Sequence, residues 1–141
     1  MTTATYDKPL PRFDPFNRPF WQHAHEGKLA VQRCAGCGDR HFPPAAVCPR
    51  CLGDTQEWDV VSGNGTLMSW VTFHKAYWTG FAKDLPYDVC LVQLDEGPLL
   101  VSNLVGGAEG HVAVGDRVRV VFERVTDEIT LPKFAPVKAA R

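Results

Sequence analysis

The stretch Cys34-Ala35-Gly36-Cys37, followed after ten residues by Cys48-Pro49-Arg50-Cys51, contains two C-x-x-C pairs. Two thiolate pairs on tight turns supply the four ligands of a closed tetrahedral zinc site. Gly36 and Gly38 let the backbone turn around the first pair, and Pro49 stiffens the second. In a reducing compartment metal binding takes precedence over disulfides. Two disulfides or a redox C-x-x-C are the competing readings, and iron uses the same four ligands. Four cysteines fill the tetrahedron and leave no position for a catalytic water. His41, between the pairs, reads as a bystander on the knuckle hairpin rather than a ligand. Cys90, inside Val89-Cys90-Leu91-Val92, reads as a small buried hydrophobe rather than a nucleophile.

Upstream of the cysteines, Phe13-Asp14-Pro15-Phe16-Asn17-Arg18-Pro19 is extended and punctuated by proline, with Asp14 or Asn17 as the cap of a following helix. Phe20, Trp21, Ala24 and His25 suit one face of that short helix, which Gly27 ends. Leu29, Val31 and Arg33 then carry a strand into the first knuckle. Four aromatics, Phe13, Phe16, Phe20 and Trp21, crowd this segment, available to cover either a partner or the chain's own core.

Downstream the pattern changes to strands. Residues 57–61, 66–75, 87–95, 99–104, 117–125 and 129–133 are short β-rich runs separated by turn signals such as Ser62-Gly63-Asn64-Gly65 and Glu96-Gly97-Pro98. Pro132 makes the last run an edge at best. No helical segment of crossover length lies between the runs, so they fit a small antiparallel barrel and the fold is mainly β. Residues 74–86 are rich in aromatics where a simple hairpin would be polar, which makes Tyr77, Trp78 and Phe81 the leading contact surface, or else a lid on the barrel core. The loop 106–111 reads as flexible.

The 141 residues, 45% hydrophobic and 22% charged, suffice for one domain with a small appendage and exclude a large multi-domain enzyme. No apolar run approaches a membrane span, and residues 1–19 lack the basic-then-apolar order of a signal peptide, so a cytoplasmic protein is expected. The net charge is -1, but residues 52–116 hold nine acidic against two basic side chains. That distribution argues against a nucleic-acid binder, which needs a basic face to displace counterions.

The chain resembles the DUF35 family of zinc-ribbon and OB-fold proteins associated with thiolase-like enzymes. The likeness rests on Phe20-Trp21 with Glu26-Gly27-Lys28-Leu29, on Arg33-Cys34-Ala35-Gly36-Cys37-Gly38, on Phe42-Pro43-Pro44 and on Cys48-Pro49-Arg50-Cys51. It extends through Ser62-Gly63-Asn64-Gly65-Thr66-Leu67, Leu94-Asp95-Glu96-Gly97-Pro98, Ser102-Asn103-Leu104-Val105-Gly106 and Gly115-Asp116-Arg117-Val118. The resemblance implies an N-terminal tail and short helix over 1–30, a rubredoxin-like zinc ribbon over 31–56 and an OB-fold barrel over 57–141. It implies structural zinc on Cys34, Cys37, Cys48 and Cys51.

For function, the resemblance implies a cytoplasmic accessory subunit of a thiolase-superfamily enzyme acting on acyl-CoA thioesters, by acyl transfer or by retro-aldol cleavage as in steroid side-chain metabolism. A MaoC-like hydratase is the alternative partner. The catalytic residues then belong mainly to the partner, and this chain supports it or helps enclose the CoA thioester. The sequence agrees in having no nucleophile elbow, phosphate-binding glycine loop or H-E-x-x-H. A CoA ligand would need basic groups for its phosphates and an apolar slot for its pantetheine arm. Arg33, Arg40, Arg50 or Lys133 would serve the first and Tyr77, Trp78 and Phe81 the second. Two other readings stay open: a nucleic-acid-binding ribbon and OB-fold, and a free-standing enzyme pairing His74 with Asp84 or Asp88 as general base.

Overall fold

Proline inside its first turn and glycine beyond its last frame helix α1 (Arg18–His25), in a computed structural model that describes residues 6–106 and 112–137. Asn17 occupies the N-cap position but turns its side chain away from the helix. Its Oδ1 accepts from Asp14 N at 2.9 Å and its Nδ2 donates to the Arg12 carbonyl at 3.0 Å. Asp14 organises the turn instead, its carboxylate accepting from Phe16 N and Asn17 N, each at 2.7 Å. At the far end Gly27, at φ 77°, donates to Ala24 and Lys28 donates to His23, both at 2.9 Å, the bond pair of a Schellman stop. Phe20 and Ala24 are buried, Trp21 is half-buried and His25 is exposed, so the buried stripe is narrower than the expected four-residue face.

Strands β1 (Leu29–Cys34), β2 (Arg40–His41) and β3 (Gln56–Val61) form an antiparallel sheet in the order β2-β1-β3. β3, read from the sequence with the barrel runs, pairs along its whole length with β1, from Leu29 opposite Val61 to Cys34 opposite Gln56. Five further strands close the barrel: β4 (Asn64–Phe73), β5 (Tyr87–Leu94), β6 (Leu99–Leu104), β7 (Arg117–Arg124) and β8 (Thr130–Pro136), in the order β4-β5-β6-β8-β7. A short 3-10 helix, Thr79–Asp84, stands in the expected aromatic loop. Of the loop 106–111, everything beyond Gly106 lies outside the described residues.

Pro132 corrects the expectation of an edge strand, because β8 lies inside the closed barrel between β6 and β7. Val137 N donates to Arg117 O, while the Phe134 carbonyl accepts from Val105 N, across from β6. Odd-numbered β8 residues therefore hydrogen-bond β7, and even-numbered ones turn their backbone toward β6. Both Pro132 and Pro136 are even, and β8 shares only one residue pair with β6, Leu104 opposite Phe134. The missing N–H groups fall where few ladder bonds exist. Ser102 Oγ donates to the Pro132 carbonyl at 2.8 Å.

The core runs without a break from barrel to ribbon. Leu67, Val92, Leu94, Val118 and Phe134 fill the barrel, and Phe20, Leu29 and Val31 extend the same cluster to helix and ribbon. Ser62-Gly63-Asn64-Gly65 is the joint. Gly63, at φ 81°, lies so close to Val120 that a Cβ would fall 2.3 Å from its Cγ1, and Val120 N donates to the Gly63 carbonyl at 2.8 Å. Asp95 N donates to Asn64 O and the Glu96 carboxylate accepts from Ser62 N, each at 3.0 Å. The turn between β5 and β6 thus grips the linker, which gives these glycine and acidic motifs a mechanical reason.

Candidate metal centre and contact surfaces

The Sγ atoms of Cys34, Cys37, Cys48 and Cys51 all lie within 4.8 Å of one another. Cys34 and Cys51 are 3.5 Å apart and Cys37 and Cys48 3.8 Å. A tetrahedral ion with metal–sulfur bonds of roughly 2.3 Å requires sulfurs about 3.8 Å apart, a spacing to which these two pairs lie close, so the chemistry and placement of the set fit zinc. Backbone amides aim at the sulfurs: Gly36 N at 3.3 Å and Cys37 N at 3.5 Å on Cys34, Arg50 N at 3.3 Å on Cys48, and Gly53 N at 3.4 Å on Cys51. These bonds favour thiolate. The amide of Cys37, with help from Cys51 and Gly36, draws the Cys34 thiol down to about 7. Cys51 goes the other way: the Gly53 amide lowers it, but the other three sulfurs together outweigh that amide and push it up to about 12. Four sulfurs this close cannot all ionise against one another; a cation at their centre removes the conflict.

His41 stands beside this cluster, close to Asp39 and Cys48, with its Nε2 engaged elsewhere and its buried Nδ1 without a hydrogen-bond partner among the described residues. Its Nε2 donates to Gln32 Oε1 at 3.0 Å, and the same oxygen accepts from Ala45 N at 2.8 Å. Gln32 and His41 are both buried, so this pair fixes the strand between the knuckles from within. Sequence reasoning missed it because Gln32 and His41 meet only through the β1–β2 register. None of the five cysteines is in a disulfide, and the thiol of buried Cys90 is pushed up by burial to about 11, as befits a packed hydrophobe.

The ribbon arginines have acidic partners. Arg33 reaches Glu57 at 2.7 Å and Asp59 at 3.1 Å, and Arg40 reaches the same Asp59 at 3.0 Å. Arg50 is far more open, with only Asp39 at 3.8 Å. Lys133 pairs with Glu123 beside the cleft at the barrel's end. The basic residues are thus divided between ribbon and barrel, while the aromatics lie on the β4–β5 connection.

Those aromatics do not form a lid. Tyr77 is 71% exposed and Trp78 56%, whereas Phe81 stacks on Tyr87 at 4.9 Å and Tyr87 on Phe73 at 5.0 Å. The N-terminal segment locks this stack in place. Lys8 forms an ion pair with Asp84 and sits 5.3 Å over the Phe81 ring, and Gly80 packs so tightly on Asp7 that a Cβ would lie 2.3 Å from its carbonyl oxygen. The hydrogen bond that Lys8 donates to Asp84, then the Asp84 charge, raise the Lys8 ammonium against the opposing effect of burial. Asp84 is therefore engaged by Lys8, and Asp88 accepts from Thr72 Oγ1 at 2.7 Å. Among the described residues nothing joins either acid to His74. The upstream aromatics serve the chain's own core: Phe20 packs on Trp21 at 4.9 Å and on Phe42 at 5.3 Å, and Phe13 stacks on Trp21 at 6.5 Å. Phe16 stays exposed. Among the described residues no helix is long and apolar enough to cross a membrane.

Two family models match in tandem: the ChsH2 rubredoxin-like zinc ribbon domain over residues 21–57 and the ChsH2 C-terminal OB-fold domain over residues 58–123. A probable enoyl-CoA hydratase alpha subunit from Thermomonospora curvata is 35% identical over 131 residues, covering 92% of this chain and 40% of that protein. The chain thus spans well under half the length of that relative. A DUF35 domain-containing scaffold protein from Methanothermobacter thermautotrophicus is 32% identical over 112 residues, 77% of this chain and 82% of that one. Among solved structures, the Ltp2-ChsH2(DUF35) aldolase superposes with a TM-score of 0.81 at 33% identity, covering 90% of this chain and 98% of that one.

Proposed function

The chain belongs to the DUF35 family of ChsH2-type zinc-ribbon and OB-fold proteins, and from that premise we propose that it is a non-catalytic accessory subunit of a thiolase-superfamily enzyme acting on acyl-CoA thioesters. The observation that carries this reading is its likeness, over 98% of the matched chain, to a chain of the Ltp2-ChsH2(DUF35) aldolase. Retro-aldol cleavage or acyl transfer is the reaction class. A hydratase partner of the MaoC type is the second reading, favoured by the 35% identity to a hydratase alpha subunit.

In this reading Cys34, Cys37, Cys48 and Cys51 hold one zinc ion, which cross-links the two knuckles and takes no part in the chemistry. A cytoplasmic setting keeps those thiols reduced. Exposed Tyr77 and Trp78, with Arg50 as the most open ribbon arginine, are the residues we assign to the partner or to CoA; Arg33 and Arg40 keep their carboxylate partners. The domain division at residues 30/31 and 56/57 is retained as a proposal, with β3 shared by ribbon sheet and joint.

Reconstitution tests the function. The chain is co-expressed with a thiolase-like subunit and, separately, with a MaoC-like one, and each preparation is assayed on acyl-CoA thioesters. Turnover by a complex, and none by this chain alone, is the expected result. Turnover by the purified chain alone would overturn it and return attention to His74.

A further inference from the structure

The two zinc knuckles close with the same hydrogen bond, from the residue after the second cysteine to the carbonyl of the first. Gly38 N reaches Cys34 O at 2.8 Å, and Leu52 N reaches Cys48 O at 2.9 Å. Both donors adopt the left-handed backbone, at φ 79° and φ 66°. In the first knuckle that position is glycine, which takes it freely; in the second it is leucine, held against its preference. Among the described residues Leu52 is the only non-glycine with positive φ. Its side chain contributes nothing to the core, being 75% exposed. Closing the knuckle requires this backbone but not a leucine, since glycine serves at the matching position, Gly38; an apolar side chain held at a strained position and displayed to solvent points to function.

The surroundings of Leu52 match a docking tip. Val47 and Pro49 beside it are exposed, and from Val47 to Gly53 the sole charged side chain besides the two cysteine ligands is Arg50, whose Asp39 contact is long at 3.8 Å. The amide-to-sulfur bonds from Arg50 and Gly53 brace the turn from within, so little freedom would be lost on binding.

We propose that Leu52 is the anchor with which the second knuckle docks on the enzyme subunit, entering an apolar pocket whose rim carries carboxylates facing Arg50. This deepens the accessory-subunit reading and rests on it. A buried aliphatic anchor beside a charge-matched rim is the arrangement that concentrates binding energy in few residues.

The test uses the full zinc-loaded chain and the purified thiolase-like or hydratase subunit that forms a complex with it, titrated by calorimetry. Leu52→Asn keeps a residue tolerant of left-handed backbone and deletes the apolar anchor; Leu52→Gly is the second variant, and Arg50→Glu reverses the charge. Both Leu52 variants should retain one zinc per chain and an unchanged or raised unfolding midpoint, yet lose about tenfold or more in affinity. Arg50→Glu should weaken binding with a reduced salt dependence. Affinity within about twofold of wild type for both Leu52 variants, folded and zinc-loaded, would overturn the anchor while leaving the accessory role intact. A wild-type chain that binds neither class of subunit would remove the accessory reading and the anchor with it. A wild-type dimer converted to monomer by Leu52→Asn would assign the tip to a second copy and overturn the enzyme docking.

Discussion

Gly65 sits where no side chain fits: a Cβ there would lie 2.6 Å from the Gln93 carbonyl oxygen and 2.7 Å from Val92 Cγ1. Alanine must push β4 from β5 at the start of the barrel, and Gly65→Ala should cost about 2 kcal/mol or more, read as a lower denaturant midpoint. Gly27 differs, since nothing lies within 4 Å of its Cβ position and only its φ of 77° is at stake. At the same end of the barrel, Asp95 receives both Nη atoms of Arg117, at 2.8 and 2.7 Å. The Arg117 hydrogen bonds hold the Asp95 carboxyl below its ordinary 3.8. A carboxyl depressed by folding adds stability above its unfolded value, and that stability is lost as pH falls through the folded one. Asp95→Asn should therefore unfold slightly earlier than wild type near neutrality, with the gap closing below pH 3.8 and narrowing in salt because the pair is half-exposed. An unchanged gap at pH 2 would contradict this origin.

At the scale of elements, we expect the ribbon to depend on a metal and the barrel not to. Cys34 and Cys48 are buried where an ordinary module would place aliphatic side chains, whereas the barrel has Leu67, Val92, Val118 and Phe134. Chelation should strip amide-exchange protection from residues 34–55 while β4 to β8 keep theirs, and Cys51→Ser should abolish stoichiometric zinc. Protection of the knuckles unchanged without metal would contradict the cross-linking role. Much of this division was legible in the sequence because its signals are local: cysteine spacing, the proline and glycine around α1, and β-branched runs between turns. What escaped was set by distant pairing. β3 joins β1 rather than the barrel, Pro132 is tolerated through backbone parity, and the Lys8–Asp84 pair fastens the N-terminal segment to the β4–β5 connection, which no local pattern links. The strain at Leu52 was equally invisible, since Cys-Leu after a knuckle shows its cost only once φ is known.

On the scale of the whole molecule, one continuous core ties the four-cysteine ribbon to a closed barrel, and the joint between them is gripped by Glu96 and Val120. On the ribbon, Arg33 and Arg40 are neutralised by Glu57 and Asp59. Exposed large apolar side chains include Leu52 and Val47 at the cysteine tip, Tyr77 and Trp78 on the β4–β5 connection, and Val71 and Val101 on the barrel strands. In the accessory-subunit proposal these surfaces are the ones available to another protein. The most direct measurement is native mass spectrometry of the tagged chain purified from its own host, with metal content determined on the same eluate. The account predicts one zinc per chain and a fixed ratio to a thiolase-like or hydratase-type subunit. A monomer that turns over an acyl-CoA thioester unaided, or a chain eluting with nucleic acid, would contradict it.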